Sequence, residues 1–262
     1  MRRVIIHAGF HKTGTTSLQQ TLRANRAALR PDIRLVLRPG MTALCDSARA
    51  YSRSREDYDL GMVKYEAALL IESLQAEQAT TLIISSEDLS GHIPGRHGLH
   101  GYGAAPHLMR ALSVAFKTTA PDDEVSFFFT TRAAEPWLRS CYAQHLRASR
   151  MVWDEADYLK RRKASAEHDR ILDEIKREVP GHALIDARLE EHTDRRLGIS
   201  EALLDYLKLD EQRRSALVAA PAQTRNPKLP AALLADFLDL NRSDLGPQEL
   251  KKAKRGLIEA AS

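Results

Sequence analysis

The residues with the clearest chemical potential lie near the start of the chain, in the run His7–Ser17, which reads HAGFHKTGTTS. Two glycines, Gly9 and Gly14, flank Lys12 in this run, and threonine and serine hydroxyls follow. A strand-like segment precedes the run and a helix-like segment follows it, which predicts a tight turn leading into a helix N-terminus. Because backbone N–H groups and the positive helix end converge at such a turn, it can bind an anion such as a phosphate.

The position of the lysine indicates which kind of anion the turn could bind. The spacing Gly9-x-x-x-x-Gly14 matches the front of the phosphate loop of nucleotide triphosphatases, but Thr15 stands where such a loop has lysine. Here the lysine lies two residues before the second glycine, in the run Lys12–Thr16, or KTGTT. This run resembles the 5′-phosphosulfate loop of sulfotransferases that use PAPS, 3′-phosphoadenosine 5′-phosphosulfate. The alternative is an ordinary strand-to-helix turn with a solvated lysine and helix-capping hydroxyls.

The resemblance implies a role for each residue of the turn. Lys12 would bind the donor and also act in catalysis, by neutralising charge that grows on the bridging oxygen. The 5′-phosphate would be held by backbone amides and hydroxyls of the residues that follow, namely Thr13, Gly14, Thr15, Thr16 and Ser17. The resemblance further implies PAPS as co-substrate, PAP as product and no metal.

A second, distant segment resembles the same family. The apolar run Val125–Phe129 predicts a strand, Arg132 follows its end, and Ser140 comes eight residues later on a predicted helix. In sulfotransferases a strand-end arginine and such a serine bind the 3′-phosphate, and a guanidinium fork suits a dianion. The residues between them resemble the bacterial branch of the family. Alone, Arg132 is typical of a surface arginine and Ser140 of an ordinary helix residue.

Two carboxylates follow the apolar run Leu82–Ile84 and are candidates for the general base. Glu87 is preferred, because a carboxylate there could accept the proton of an attacking hydroxyl or amine. Several carbohydrate sulfotransferases carry a catalytic glutamate in a comparable place. Asp88 is the fallback, and the alternative for both carboxylates is to cap the next helix or bind an arginine. Histidine is the other base used in this family, and the candidates are His11, His92, His97, His100 and His107.

The acceptor is the least determined part of the prediction. Glycines and a proline interrupt residues 91–103, which predicts a mobile loop at the carboxyl edge of the sheet, where open α/β folds bind ligands. We expect loops at 40–60, 91–106 and 147–168 to bind the acceptor. The aromatic content of 6% favours a carbohydrate or another small polar molecule with a hydroxyl or amine group.

A last segment, residues 223–230, resembles an Arg/Asn-containing loop of the family that precedes the final helices. Arg225 is expected to bind the nucleotide by closing over its phosphate, and Lys228 is the alternative. The glycine-rich version of this loop, found in the cytosolic branch, is absent, so the residues that contact adenine stay open.

Five short apolar runs alternate with longer helical patterns, and they are Val4–Ile6, Ile33–Leu37, Leu82–Ile84, Val125–Phe129 and Ala183–Ile185. This alternation predicts an α/β fold with a central parallel sheet flanked by helices, a three-layer sandwich of the P-loop type with a helical C-terminal third. We expect a single sulfotransferase-like domain over residues 1–262, in which a mostly helical region, 150–262, packs on the sheet.

Composition excludes several classes of protein. The chain has 262 residues, 43% hydrophobic and 28% charged, as in ordinary globular proteins. No apolar run approaches the roughly 20 residues that span a bilayer, and the early first strand leaves no room for a signal peptide, which predicts a cytoplasmic protein.

Cys45 and Cys141 indicate neither a disulfide nor zinc. The net charge of +4 suits an anionic ligand without indicating nucleic acid, and homo-oligomerisation is left open.

These observations predict a sulfotransferase that moves the sulfuryl group of PAPS in line to an acceptor hydroxyl or amine. The first alternative is a P-loop kinase that uses ATP and magnesium on a small molecule. Thr16 would then bind the metal and Glu87 with Asp88 would end a Walker-B-like strand, but Arg132 and Ser140 would have no role. The second alternative is a catalytically silent homologue that only binds a nucleotide or a partner protein.

Overall fold

The computed structural model describes residues 1–220 and 229–260 of the chain. A five-stranded sheet forms its centre, with strand order β2-β3-β1-β4-β5 and parallel pairing between all neighbours. The strands are β1 (Arg3–His7), β2 (Ile33–Leu37), β3 (Thr81–Ser85), β4 (Glu124–Thr131) and β5 (Ala183–Arg188). Each contains one of the five apolar runs, so the predicted α/β class with a parallel sheet is confirmed.

Twelve helices are assigned in the described residues. They are α1 (Thr15–Ala24), α2 (Arg26–Leu29), α3 (Thr42–Ser54), α4 (Asp57–Ser73), α5 (Ala105–Thr119), α6 (Ala134–Ala148), α7 (Glu155–Arg162), α8 (His168–Glu178), α9 (Ser200–Leu207), α10 (Glu211–Ala216), α11 (Ala231–Arg242) and α12 (Pro247–Ala260). Short 3₁₀ turns cover Arg38–Gly40, Glu87–Ser90, Lys163–Ala166 and Leu189–His192. None of these described helices is both long enough and apolar enough to cross a membrane.

The sheet is covered on both faces, because successive side chains of a strand point to opposite sides. Ile5, Ile83 and Phe128 share one core with leucines of α1 and α9. Ile6 and Ile84 face the other side, where apolar residues of α3, α4 and α5 surround them. The central strands β1, β3 and β4 are therefore mostly buried, as is typical of parallel strands in a three-layer sandwich, whereas the edge strands β2 and β5 also carry partly or fully exposed charged residues.

The register places the turns after the central strands at one edge of the sheet. His7, the last residue of β1, pairs with Ser85 at the end of β3 and with Phe128 of β4. The backbone N–H of Ser86 then donates to the His7 carbonyl at 3.1 Å, which continues the ladder past the end of β3. The predicted site residues after β1, β3 and β4 accordingly belong to the same carboxyl edge.

The described residues form two compact units. One comprises the described residues of Met1–Ala133 and Glu167–Arg225 and contains the five strands, whereas the other comprises those of Ala134–Ala166 and Asn226–Ser262. Within the second unit, Lys254 of α12 donates to the carbonyls of Leu146 and Ser149, at 2.6 and 2.9 Å, and so caps the end of α6. The region 150–262 also supplies β5, and its assignment to a single domain stays a prediction.

Two of the three expected acceptor loops are helical instead. Residues 40–60 form α3 and the start of α4, and 147–168 contain α7, so the expectation of loops there was wrong. In α3 the buried side chains Leu44, Ala48 and Tyr51 recur at helical spacing, which polar and charged residues between them conceal in the sequence.

Residues 91–103 lack regular structure, as predicted, but both ends are packed: Gly91–Pro94 and Tyr102 are buried. The packed ends hold both ends of this segment in place at the sheet edge. The glycines and proline of the segment predicted a mobile loop and did not indicate this packing.

Candidate active site

The turn after β1 leads directly into α1, as the sequence predicts. Gly14 is the N-cap residue of α1, and its φ of +96° lies in the left-handed region that favours glycine. The first helical hydrogen bond runs from the Leu18 N–H to the Gly14 carbonyl at 3.1 Å. The N–H groups of Thr15, Thr16 and Ser17 therefore lack an acceptor within the helix, and the first turn holds no acidic side chain. The turn thus offers three backbone donors at the positive end of a helix.

Gly9 allows the turn to pack closely under these donors. A Cβ atom on Gly9 would lie 2.7 Å from Thr15 Cγ2, 2.8 Å from His7 Nε2 and 2.9 Å from Thr130 Oγ1. Real Cβ atoms essentially never approach other atoms below 3.0 Å. Any larger residue at position 9 would consequently push β1, β4 and α1 apart where they meet.

The hydroxyls of the turn divide into two groups. The Thr13 hydroxyl is fully buried, donates to the Phe10 carbonyl and accepts a hydrogen bond from Thr130 Oγ1 at 2.7 Å. Thr15 is also buried, whereas Thr16 and Ser17 are partly exposed. Thr13 and Thr15 therefore support the turn with their side chains, and Thr16 and Ser17 are the hydroxyls that could reach a bound phosphate.

Lys12 and Arg132, predicted from distant segments, lie together. Lys12 is partly exposed, and its φ of +67° turns its backbone into the left-handed region. Its carbonyl accepts a hydrogen bond from the Arg132 guanidinium at 3.4 Å. The structure thus brings two cationic residues to the same turn, which is the arrangement required for a ligand with more than one anionic group.

A carboxylate that the sequence did not single out lies beside Arg132. Glu190, in the 3₁₀ turn after β5, accepts the backbone N–H of Ala133 at 3.1 Å, and its Oε1 lies 3.9 Å from Arg132 Nε. The Glu190 side chain is 44% exposed and the Arg132 side chain 27% exposed. The only advance signal was the position of Glu190 after a strand that ends at the same edge.

Glu87 lies next to the N-terminal end of α1. Its Oε2 accepts a hydrogen bond of 2.8 Å from the side-chain amide of Gln19, in the second turn of that helix. Glu87 is partly buried and opens the 3₁₀ turn after β3. Ser90, at the end of that turn, donates to the Ala8 carbonyl at 2.7 Å, which ties the segment after β3 to the turn after β1.

Asp88 has a different environment. It accepts a hydrogen bond of 2.6 Å from Arg38 Nε, and His11 Nε2 and Arg49 Nε lie 3.7 and 3.9 Å away. Burial raises the pKa of Asp88, but hydrogen bonds from His11 and Arg38 and the nearby positive charges outweigh burial, so its pKa lies below its usual value. A carboxylate of this kind is a weak proton acceptor, which favours Glu87 among the two.

Of the histidine candidates, His11 lies in the turn itself, and its backbone and ring both contact Tyr102. The backbone N–H of His11 donates to the Tyr102 hydroxyl at 2.9 Å, and the same hydroxyl lies 3.1 Å from His11 Nδ1. His168, which stacks on Phe10 with ring centroids 4.7 Å apart, has its pKa lowered to about 4, mainly by burial. Tyr102 and His168 were not predicted, because they come from positions far along the chain.

One more buried histidine, His7, was missed. Its Nδ1 lies 2.7 Å from the Ser85 hydroxyl, and burial lowers its pKa to about 3. The ring is therefore neutral at ordinary pH and packs edge-on against Phe128. His7 is the last residue of β1, and its ring packs against Gly9, so it supports the turn from the buried side.

The described structure does not test the roles of Ser140 and Arg225. Ser140 is partly buried in α6, in the second compact unit. Arg225 and its alternative Lys228 lie outside the described residues. Within 1–220 and 229–260, no group of three or more His, Cys, Asp or Glu side chains is arranged to hold a metal ion. The roles of Ser140 and Arg225, and the expectation of no metal, stay predictions.

The fold and site together define an α/β protein in which a turn at the carboxyl edge of the sheet presents backbone donors that could bind an anion. No family model matches the sequence, and no curated protein matches it either. A more specific assignment therefore depends on the residues of the turn and their contacts.

Proposed function

We propose that this protein is a PAPS-dependent sulfotransferase that transfers a sulfuryl group to a hydroxyl or amine of a carbohydrate or another small polar acceptor. The single observation that carries the proposal is the turn after β1. It combines three backbone donors at the start of α1 with a lysine two residues before the N-cap glycine, and with Arg132 bonded to that lysine's carbonyl. A nucleotide with phosphate groups at both ends of its ribose needs both features.

The turn would hold the 5′-phosphate of PAPS through the N–H groups of Thr15, Thr16 and Ser17 and the two partly exposed hydroxyls. Arg132, at the end of the neighbouring strand β4, would bind the 3′-phosphate. In the transfer step the acceptor oxygen or nitrogen forms a bond to sulfur while the bond from sulfur to the bridging oxygen breaks. Lys12 stabilises the negative charge that the departing phosphate oxygen gains.

Glu87 would take the proton of the acceptor as the new bond to sulfur forms. The Gln19 amide donates to one oxygen of Glu87 and so fixes the orientation of the carboxylate, leaving the other oxygen to accept a proton. Asp88 is less suited, since its oxygens are already bound by Arg38 and approached by His11 and Arg49.

Calorimetry with PAP and with ATP plus magnesium tests the donor assignment. We expect PAP to bind, and Lys12→Ala and Arg132→Ala each to weaken its affinity by about tenfold or more, since a hydrogen bond to a charged group contributes about 1.5–3 kcal/mol. Lys117→Ala, an exposed lysine at the end of α5, is the matched control and should leave PAP affinity unchanged. Selective binding of ATP with magnesium would contradict the proposal and favour the kinase.

Turnover of labelled PAPS over a panel of carbohydrate and amine acceptors tests the base. Glu87→Gln keeps the shape of the side chain and an oxygen that can accept from Gln19, but it removes the proton acceptor. We expect the transfer rate to fall by about 10²–10⁴-fold while PAP affinity persists. Asp88→Asn should retain more activity than Glu87→Gln, and the reverse order would move the assignment to Asp88. A wild-type protein that binds PAP but transfers to nothing would support the silent homologue.

A further inference from the structure

A second group of basic side chains lies beside the site described above and has no role in the proposed nucleotide site. Arg49 and Arg53 are four residues apart on α3, so they lie on one face of that helix. Ser52 is next to Arg53 in the sequence, and its hydroxyl oxygen accepts the backbone N–H of His92 at 3.0 Å. The segment after β3 therefore meets α3 where the two arginines are.

Close packing fixes this meeting point. Gly91 has a φ of +87°, and a Cβ atom on it would lie 2.5 Å from the Cβ of Ser52. The residue before it, Ser90, donates to the Ala8 carbonyl in the turn after β1. Only glycine fits between these two contacts, and as a result His92 is held at a defined place between α3 and the phosphate-binding turn.

His92 is a buried polar side chain with spare hydrogen-bonding capacity. The residue is 7% exposed, and its ring packs on that of His97 with centroids 4.6 Å apart. Neither ring nitrogen of His92 forms a hydrogen bond with any residue of the described chain, although its backbone N–H is bonded. Burial, then the charge of Arg49, lowers the pKa of His92 to about 4, so the neutral ring offers one N–H donor and one acceptor.

The charges around His92 do not balance. Asp88 pairs with Arg38 at 2.6 Å and lies 3.9 Å from Arg49, and Asp46 pairs with Arg38 at 3.0 Å. Arg53 forms no ion pair with any described residue. Two guanidinium groups, of Arg38 and Arg49, thus share the two carboxylates, and the positive charge of Arg53 is not neutralised by either. Because like charges four residues apart on a helix repel, an anion between Arg49 and Arg53 would stabilise them.

We propose that Arg49, Arg53 and His92 form a second anion-binding site, which takes a carboxylate or sulfate group carried by the acceptor molecule. Guanidinium groups bind both oxyanions through paired N–H donors, and the imidazole N–H adds a neutral donor. Asp88 connects this site to the residues of transfer, because it contacts Arg49 on one side and His11, the neighbour of Lys12, on the other. The role as an acceptor site rests on the proposed function, whereas the anion site itself does not.

The test is an NMR titration of the histidine rings in the ¹⁵N-labelled protein with sodium acetate, sodium methyl sulfate and, as neutral probe, acetamide, at constant ionic strength in sodium chloride. We expect saturable shifts of the His92 ring with acetate, methyl sulfate or both, and none with acetamide. Acetate alone would identify a carboxylate-bearing acceptor, and methyl sulfate alone a sulfated one. No saturable shift with either anion would overturn the proposal.

Two variants locate the site. Arg53→Gln should weaken anion affinity at least fivefold, and Arg53→Lys should restore part of it. Arg23→Gln, an exposed arginine in the last turn of α1, makes the same charge change away from the cluster and should have no effect. Equal anion affinities in Arg53→Gln and Arg23→Gln would refute the assignment. Since PAP binding is measured separately, anion binding without PAP binding would refute the sulfotransferase and leave the anion site standing.

Discussion

The turns after β1 and β4 end neighbouring strands of the same sheet, yet they are stabilised in different ways. After β1, the Thr13 hydroxyl bridges Phe10 and Thr130, and the backbone of His11 is bonded to a buried tyrosine hydroxyl. After β4, the Arg132 guanidinium reaches the Lys12 carbonyl at 3.4 Å and lies 3.9 Å from a carboxylate. The first turn is held by hydrogen bonds to buried groups, whereas the second is held through the partly exposed Arg132 and the exposed Glu190.

The difference shows which part of the candidate site is complete before a ligand arrives. The donors of the turn after β1 are fixed by the backbone, so an anion there meets a rigid group of N–H bonds. Arg132 already has a carboxylate, Glu190, as neighbour, so an anion that binds Arg132 competes with that carboxylate. The two turns should therefore respond differently to substitutions.

The largest effect is expected from filling the space at Gly9. Gly9→Ala would place a methyl group within 3.0 Å of Thr15, His7 and Thr130, so we expect the free energy of unfolding to fall by about 1–3 kcal/mol and PAP binding to be lost. Denaturant titration and calorimetry measure the two effects. Gly61→Ala, inside α4 with nothing within 4 Å, is the matched control and should stabilise the protein by about 0.5–1 kcal/mol. Unchanged stability of Gly9→Ala would show that the turn is loose.

An intermediate effect is expected on the free energy of unfolding when the pH is lowered. Burial lowers the pKa of His7 to about 3 in the folded chain, and the unfolded chain has the ordinary value near 6.5. Between these values the unfolded state binds more protons, so the free energy of unfolding falls as pH is lowered, by about 1.4 kcal/mol per pH unit for this group. Denaturant titrations from pH 7.5 to 4.5 measure the slope.

The His7 contribution can be isolated by substitution. His7→Asn should reduce that slope, and the same change at the exposed His100 should leave it unaltered. Equal slopes in wild type and His7→Asn would mean that the acid sensitivity arises outside the turn after β1.

The smallest effect is expected at the turn after β4. Glu190→Gln keeps an oxygen to accept the Ala133 N–H but removes the charge beside Arg132, so we expect PAP to bind about two- to fivefold more tightly, in line with an exposed ion pair. Calorimetry measures the change, and Glu191→Gln, an exposed neighbour, is the control. Weaker binding in Glu190→Gln would show instead that Glu190 holds Arg132 in its binding position.

The fold could be predicted because its signals are local. Each strand contains a short apolar run, such as Ile33–Leu37, and most of these runs are rich in β-branched or aromatic residues, which favour a strand. The helical segment α3 was missed because serine, arginine and aspartate stand between its apolar residues and hide the apolar face of Leu44 and Tyr51. Helix formation there depends on packing against α4 and the 3₁₀ turn Glu87–Ser90, which composition does not report.

The site could be predicted only where residues close together in the sequence are sufficient to define it. The turn around Lys12 follows from adjacent residues, since a strand, two glycines and a helix define it. Tyr102, Gln19 and Glu190 could not be predicted in the same way, because each acts through a contact with a residue 57–91 positions away. Such contacts depend on the order of the strands, and that order became known only with the folded chain.

The same long-range contacts have a consequence for the order of events during folding. The turn after β1 is synthesised before its supports, Tyr102 and Thr130, which are 91 and 117 positions from their partners. Closing such long loops costs chain entropy, and only the contacts of the assembled sheet offset that cost. The turn can therefore not reach its final structure until β4 has docked, and amide exchange in the turn should report completion of the sheet.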